Sequence, residues 1–179
     1  MLSELFKTEE RVRVLHYVMF RKSFRAVDVS KDTEVTKGLV SRYLHILELN
    51  GLLQKKGREY SPQDSSLSRA IRLLLNLERI DLSALSMDYA RGLGLYGSWA
   101  RGTNDQESDL DVWIKVDSMP EQSKLARLQR DLRMQTGSEV NLLILTPERL
   151  ERLKTEDLPF YNSLLKDFLT LKGEGLEEH

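Results

Sequence analysis

The chain of 179 residues contains no cysteine, which excludes a disulfide framework and a zinc-thiolate site. Its three histidines, His16, His45 and His179, are too scattered to suggest a histidine metal site. Any bound metal is therefore expected on oxygen ligands. No apolar run approaches the roughly 20 residues that a membrane span requires. The start MLSELFKTEE lacks the basic-then-apolar order of a secretory signal. The expectation is a cytoplasmic protein with no membrane partner. Internal repeats and low-complexity tracts are also absent, so what remains is an ordinary globular composition, 40% apolar and 31% charged. A chain of this length can bury one good core or two small ones.

The formal net charge of −1 conceals an uneven distribution. Residues 1–60 carry twelve Lys and Arg against eight acids, a net of +4. Of the 27 basic and 28 acidic residues in all, 15 and 20 lie beyond position 60, a net of −5. A basic front suits an anionic partner such as DNA, although a solvated helix surface would carry the same charges.

Apolar spacing predicts a first helix over Leu2–Phe20, burying Leu5, Val12, Leu15 and Met19. A short second helix is expected over Ala26–Thr33. A third starts near Thr36, whose hydroxyl can cap the first turn, and runs to Leu49 with Leu39, Val40, Tyr43, Leu44 and Leu47 inward. Asn50-Gly51 stops it. Leu52–Lys56 and Glu59–Ser61 read as a small hairpin turning at Gly57-Arg58. These elements make up a domain over residues 1–61, and the polar, proline-containing stretch 62–66 reads as a linker.

A second domain is expected over 67–172, with a frayed tail over 173–179. It opens with an apolar helix, Leu67–Ile80, and a helix end near Met87–Arg91. Strands follow at Gly92–Tyr96, Leu110–Val116 and Val140–Leu145. Helices are expected at Ser98–Gly102 and Glu121–Met134, and from Pro147 onward two short helical pieces and a last strand complete the chain.

The chemistry concentrates in YGSWARGTNDQESDLDVWIK, residues 96–115. Side chains on a strand alternate between faces, so Asp109, Asp111 and Trp113 share one face while Leu110, Val112, Ile114 and Val116 share the other. The two carboxylates then stand about 7 Å apart along the backbone. Such a pair can close on a hard divalent cation, which would relieve their mutual repulsion. Upstream, Gly97-Ser98 offers a close backbone approach and a helix start that favours phosphate. Arg101, one turn on, can neutralise phosphate charge with its planar fork. Trp113 could stack on a base, but packing is the commoner role of a tryptophan so placed. His16 and His45 fall within helices and read as local hydrogen-bonding groups.

Gly97-Ser98, ten residues, then Asp109-Leu110-Asp111 resembles the signature of the DNA polymerase β-type nucleotidyltransferase superfamily, above all its minimal prokaryotic members. Ala100-Arg101-Gly102 and Ser108 also fit. The resemblance implies a small mixed sheet flanked by helices, within an α+β chain. It implies Asp109 and Asp111 as catalytic, magnesium- or manganese-holding carboxylates, and Gly97, Ser98, Arg101 and Ser108 as nucleotide-binding residues. A nucleoside triphosphate would be the substrate, and a hydroxyl on a partner toxin or a small molecule the acceptor, which for a toxin would make the chain an antitoxin. The superfamily has a third carboxylate on the strand after the intervening helix. In SEVNLLIL the matching position is Asn141, with Glu139 two residues earlier on the same face as a substitute or a solvated end residue.

VTKGLVSRYLHILELNGLL followed by KKGREY resembles winged helix-turn-helix regulators of the MarR and ArsR kind. That resemblance implies double-stranded DNA as a partner and admits a homodimer. Thr36, Lys37, Ser41 and Arg42 would lie on the recognition helix, and Lys55, Lys56 and Arg58 on the wing. A winged helix can also serve as a protein-interaction module. A non-catalytic, nucleotide-sensing transcriptional regulator therefore stands as the alternative reading.

Overall fold

The computed structural model describes residues 2–176 and divides into two compact units, Met1–Leu75 and Asn76–His179. The first contains helices α1 (Leu2–Leu5), α2 (Glu9–Met19), α3 (Ala26–Thr33) and α4 (Lys37–Leu49). Strands β1 (Phe24–Arg25), β2 (Leu53–Lys56) and β3 (Glu59–Pro62) form an antiparallel sheet in the order β1-β3-β2.

The single helix expected over Leu2–Phe20 is two helices, because the Thr8 hydroxyl accepts from the Arg11 backbone N–H and starts α2 afresh. The Tyr43 hydroxyl donates to the Leu5 carbonyl at 2.8 Å and ties α1 down. Val14 and Val18 are buried beside Leu15 and Met19, whereas Val12 is only half-buried. Thr36 occupies the N-cap of α4, but its side chain makes no capping bond. The strand at Phe24–Arg25 has no counterpart in the sequence reading, for two residues show no period; Phe24 pairs with Tyr60, and their rings stack at 5.9 Å.

The division between units falls within α5 (Ser66–Glu78) and not at 62–66, where Pro62 is still strand and Ser66 already helix. After α5 a 3-10 turn over Leu82–Ala84 stands in place of the helix end expected at Met87–Arg91. Then come β4 (Gly92–Leu95), α6 (Gly97–Arg101), β5 (Leu110–Lys115), α7 (Gln122–Thr136), β6 (Val140–Leu145), α8 (Pro147–Glu156), α9 (Leu158–Asp167) and β7 (Leu169–Gly173).

These strands form a mixed sheet ordered β6-β5-β4-β7, antiparallel except for the β5–β6 pair joined through α7. The two faces of β5 are sorted as the alternation predicts. Leu110, Val112 and Ile114 join Leu93 and Leu95 and pack on Leu128 and Leu132 of α7. On the other face Trp113 lies with Leu143 and Leu145 under Leu150 of α8 and Tyr161 and Leu164 of α9. Trp113 is fully buried and meets Phe168 edge-on, so its role is packing.

Residues 173–176 are no frayed tail. Gly173 closes β7, Glu174 pairs with Lys115 at 3.0 Å and with Arg91, and Leu176 is buried. Residues 177–179, His179 among them, lie outside the described residues.

Candidate functional site

β4 ends beside the start of β5, and the chain between them makes α6. The Tyr96 backbone N–H donates to the Asp111 carbonyl at 3.1 Å, which brings the next residue, Gly97, against the Asp111 side chain. Gly97 has φ +68, and a Cβ there would stand 2.6 Å from Asp111 Oδ2. Two independent constraints therefore demand glycine, the left-handed backbone and the approach of a carboxylate. Ser98 follows, half-buried, its carbonyl accepting from the Thr103 backbone N–H at 3.0 Å.

Asp109 immediately precedes β5 and is exposed; Asp111 is its second residue and half-buried. The parallel register sets Asn141 of β6 directly opposite Asp111. Its Nδ2 donates to Asp111 Oδ1 at 3.1 Å and lies 3.4 Å from Asp109 Oδ2, so one amide nitrogen is shared between two carboxylates. Neither acid forms an ion pair among the described residues. The carboxylates thus converge on a donor rather than splaying apart, at an accessible end of the sheet.

That donor set suits a hard cation. Two carboxylate oxygens already face one hydrogen-bond donor, and a half-turn of the Asn141 amide would present its carbonyl oxygen instead. An amide oxygen brings no charge, however, and cannot accept a proton as a carboxylate can. Among the described residues no group of three His, Cys, Asp or Glu side chains gathers around a common point. Glu139, the other candidate for a third carboxylate, lies before β6 and pairs with Arg133 of α7 at 2.6 Å.

Two further motif residues already have partners. Arg101 points its fork at Asp167 at the end of α9, Nη1 to Oδ2 at 2.6 Å, and not at the Asp pair. Both partners are partly exposed, and such a pair contributes only about 0–1 kcal/mol. Phosphate could therefore compete for the fork. The Ser108 hydroxyl closes a turn, donating to Asp105 Oδ1 and accepting from the Asp105 backbone N–H at 2.9 Å. It shapes the approach to Asp109 and is already engaged there.

The sequence carried no signal for Tyr96 as a neighbour of this site. Burial raises its phenol above the usual tyrosine range, the nearby Asp111 charge adds to the rise, and Arg149 opposes it. The phenol is thus held protonated beside Asp111. A groove of about 700 Å³ lies elsewhere, lined by Met119, Ile144, Thr146, Arg149 and neighbours from α8, and none of the motif residues reaches it.

Residues 79–168 match the family described as the nucleotidyltransferase domain, half of the chain. The chain belongs to that family. No curated protein matches. Among solved structures, a mutant MntA–HpeT toxin–antitoxin complex is 17% identical over 62% of this chain and 75% of its own, with a TM-score of 0.36. The tri-AMPylated Shewanella oneidensis HEPN toxin in complex with MNT antitoxin is 15% identical over 57% and 73%, with a TM-score of 0.37. A toxin–antitoxin structure with AMP-PNP is 19% identical over 59% and 72%, at 0.36. Overlaps of this size carry no argument, and membership of the nucleotidyltransferase family rests on the domain match. Among the described residues no helix is long and apolar enough to cross a membrane.

Proposed function

We propose that the second unit transfers a nucleoside monophosphate from a nucleoside triphosphate to a hydroxyl, with Asp109 and Asp111 holding magnesium or manganese. The observation that carries this is the convergence of the two carboxylates beside Gly97, inside the family's matched range. The acceptor oxygen bonds to the α-phosphorus as the bond to pyrophosphate breaks, and the hydroxyl proton passes to water. A bound divalent cation supplies charge neutralisation on the phosphate oxygens. The Gly97-Ser98 turn lies close enough to seat the triphosphate, and Arg101 exchanges Asp167 for phosphate. The resemblance to minimal members admits a toxin side-chain hydroxyl or a small molecule as the acceptor, and with a toxin the protein would act as an antitoxin.

The test is incubation with labelled triphosphates, magnesium and extract from the source cell. A labelled product that disappears in Asp109→Ala supports the reading. No product from the parent chain, or equal labelling by the variant, rejects it.

Asn141 favours a second reading, a nucleotide-sensing regulator without turnover. The two readings part on Asn141→Asp. A third carboxylate at the shared point strengthens cation binding, so manganese should raise the thermal midpoint of the variant several degrees more than that of the parent. Transfer should rise about tenfold, the effect of about 1.4 kcal/mol on the barrier. A manganese effect without any transfer would favour the regulator.

For the first unit we propose a winged helix that binds double-stranded DNA. What supports it is the order α2, β1, α3, α4, β2, β3, and a row of exposed residues: Thr36, Lys37, Ser41 and Arg42 on or beside α4, Lys55, Lys56 and Arg58 on the hairpin. Binding to the upstream DNA of its own gene should weaken as salt rises. Replacing Lys55, Lys56 and Arg58 by alanine should lower the slope of log affinity against log salt by about 0.9 for every phosphate that these side chains neutralise. An unchanged slope in a gel-shift titration would remove the hairpin from the interface.

A further inference from the structure

Asn76 lies three residues before the matched range and outside every motif above, yet it is completely buried, in the last turn of α5. Its Nδ2 donates to the Trp99 carbonyl at 3.0 Å and to Asn104 Oδ1 at 2.9 Å, while its Oδ1 accepts from Asn104 Nδ2 at 3.1 Å. Turning the Asn76 amide over would set two carbonyl oxygens face to face at Trp99, so its orientation is determined by the contacts. Asn104 is buried as well. Two buried primary amides thus satisfy one another and one backbone carbonyl.

Trp99 and Asn104 belong to the connection between β4 and β5, the stretch from Gly97-Ser98 to Asp109. Much of that connection is closed on itself. The Thr103 backbone N–H reaches the Ser98 carbonyl, the Trp99 indole N–H lies 3.5 Å from the Ser108 carbonyl, and Asp105 and Ser108 lock the final turn. Asn76 grips it from α5 at two points, one on each side of Gly102. Arg79, one turn further, covers the Trp99 ring with its guanidinium 4.9 Å from the centroid.

We infer that Asn76 is a positioning residue. Paired with Asn104, it holds the Gly97–Asp109 connection so that the glycine-serine turn and the carboxylate pair keep the spacing a metal-bound nucleoside triphosphate requires. This rests on the nucleotide reading above. Hydrogen bonds are directional and a leucine of similar volume is not, so filling the same space without the amides leaves the connection unregistered.

Four full-length chains test it: the parent, Asn76→Leu, Asn104→Leu and the double variant. Each single change strands one buried amide, and the thermal midpoint should fall by about 5 °C. Backbone hydrogen exchange should quicken about tenfold over residues 99–108 but not over Leu110–Lys115, and calorimetric affinity for manganese-ATP should fall about tenfold. The double variant removes both stranded groups and should recover most of the midpoint while exchange and affinity stay altered. If affinity and exchange return together with the midpoint, or the single variants bind as the parent does, the pair is merely structural and the inference is overturned. If the parent binds no manganese-ATP, the nucleotide reading fails separately, and the tie is then judged on exchange alone. Should the leucine variants not fold, Asn76→Asp, equal in size and lacking both donors, is expected to show the same local exchange; unchanged exchange there would also overturn it.

Discussion

Asp111→Ala is expected to reduce nucleotidyl transfer by at least about 10³-fold, measured as labelled product per enzyme at saturating magnesium. The size follows from what the side chain does. Among the described residues it is one of two carboxylates at the shared point, it stands against Gly97, and its partner across the sheet is neutral. Charge neutralisation by a bound cation lowers a phosphoryl-transfer barrier by several kcal/mol, and each 1.36 kcal/mol is about a factor of ten. A site with three acids can lose one and keep a charged pair; this site cannot. Stability should change little or rise without metal, since one of two converging negative charges is removed. A loss of transfer together with a lowered cation-free thermal midpoint would mean that Asp111 acts through the fold. Less than a tenfold loss would mean that the cation is held elsewhere.

The second large effect is on stability. Gly94→Ala should destabilise the second unit by about 3 kcal/mol, the upper end of the usual cost of overpacking a core. In β4 the leucines of GLGL face α7, and Gly92 and Gly94 face the opposite layer. Gly94 stands directly opposite Trp113, whose indole occupies the space beside it. A Cβ at 94 would fall 2.5 Å from Trp113 Cζ2 and onto the Leu169 carbonyl oxygen of β7. The tryptophan is fully buried and the carbonyl belongs to the strand, so neither can yield cheaply. Chemical denaturation should show the loss. Gly137→Ala is the control, for a Cβ there meets nothing, and only the strain of φ +71 applies. Equal midpoints for the two variants would refute the packing argument.

Near neighbours in the chain made the site's outline legible. The alternation in DLDVWIK placed Asp109, Asp111 and Trp113 on one face, and the structure keeps them there. The same alternation could not say that this face is covered by α8 and α9 at Trp113 and left accessible at Asp109, since that depends on where two later helices lie. It also could not send Arg101 to Asp167, sixty-six residues on, or Glu139 to Arg133. Long charged side chains choose partners by proximity in space, and the fold set Asp167 beside Arg101 and Arg133 beside Glu139. Ser108 is a different case. A serine three residues after an aspartate locks a turn as readily as it binds a ligand, and only the loop's path distinguishes the two.

Local sequence alone determined most of the strands and helices, which faces of the central strand are apolar, and that a glycine-serine turn precedes two acids by a set spacing. These are consequences of backbone sterics and short-range periodicity, and they need no partner. The tertiary structure decided that Asn141 registers against Asp111, that a buried amide pair ties α5 to the loop between α6 and β5, and that the sheet ends open at the carboxylates. Those outcomes depend on contacts between segments about thirty residues apart, whose strand register and rotamers are selected only when the sheet and its helices pack together.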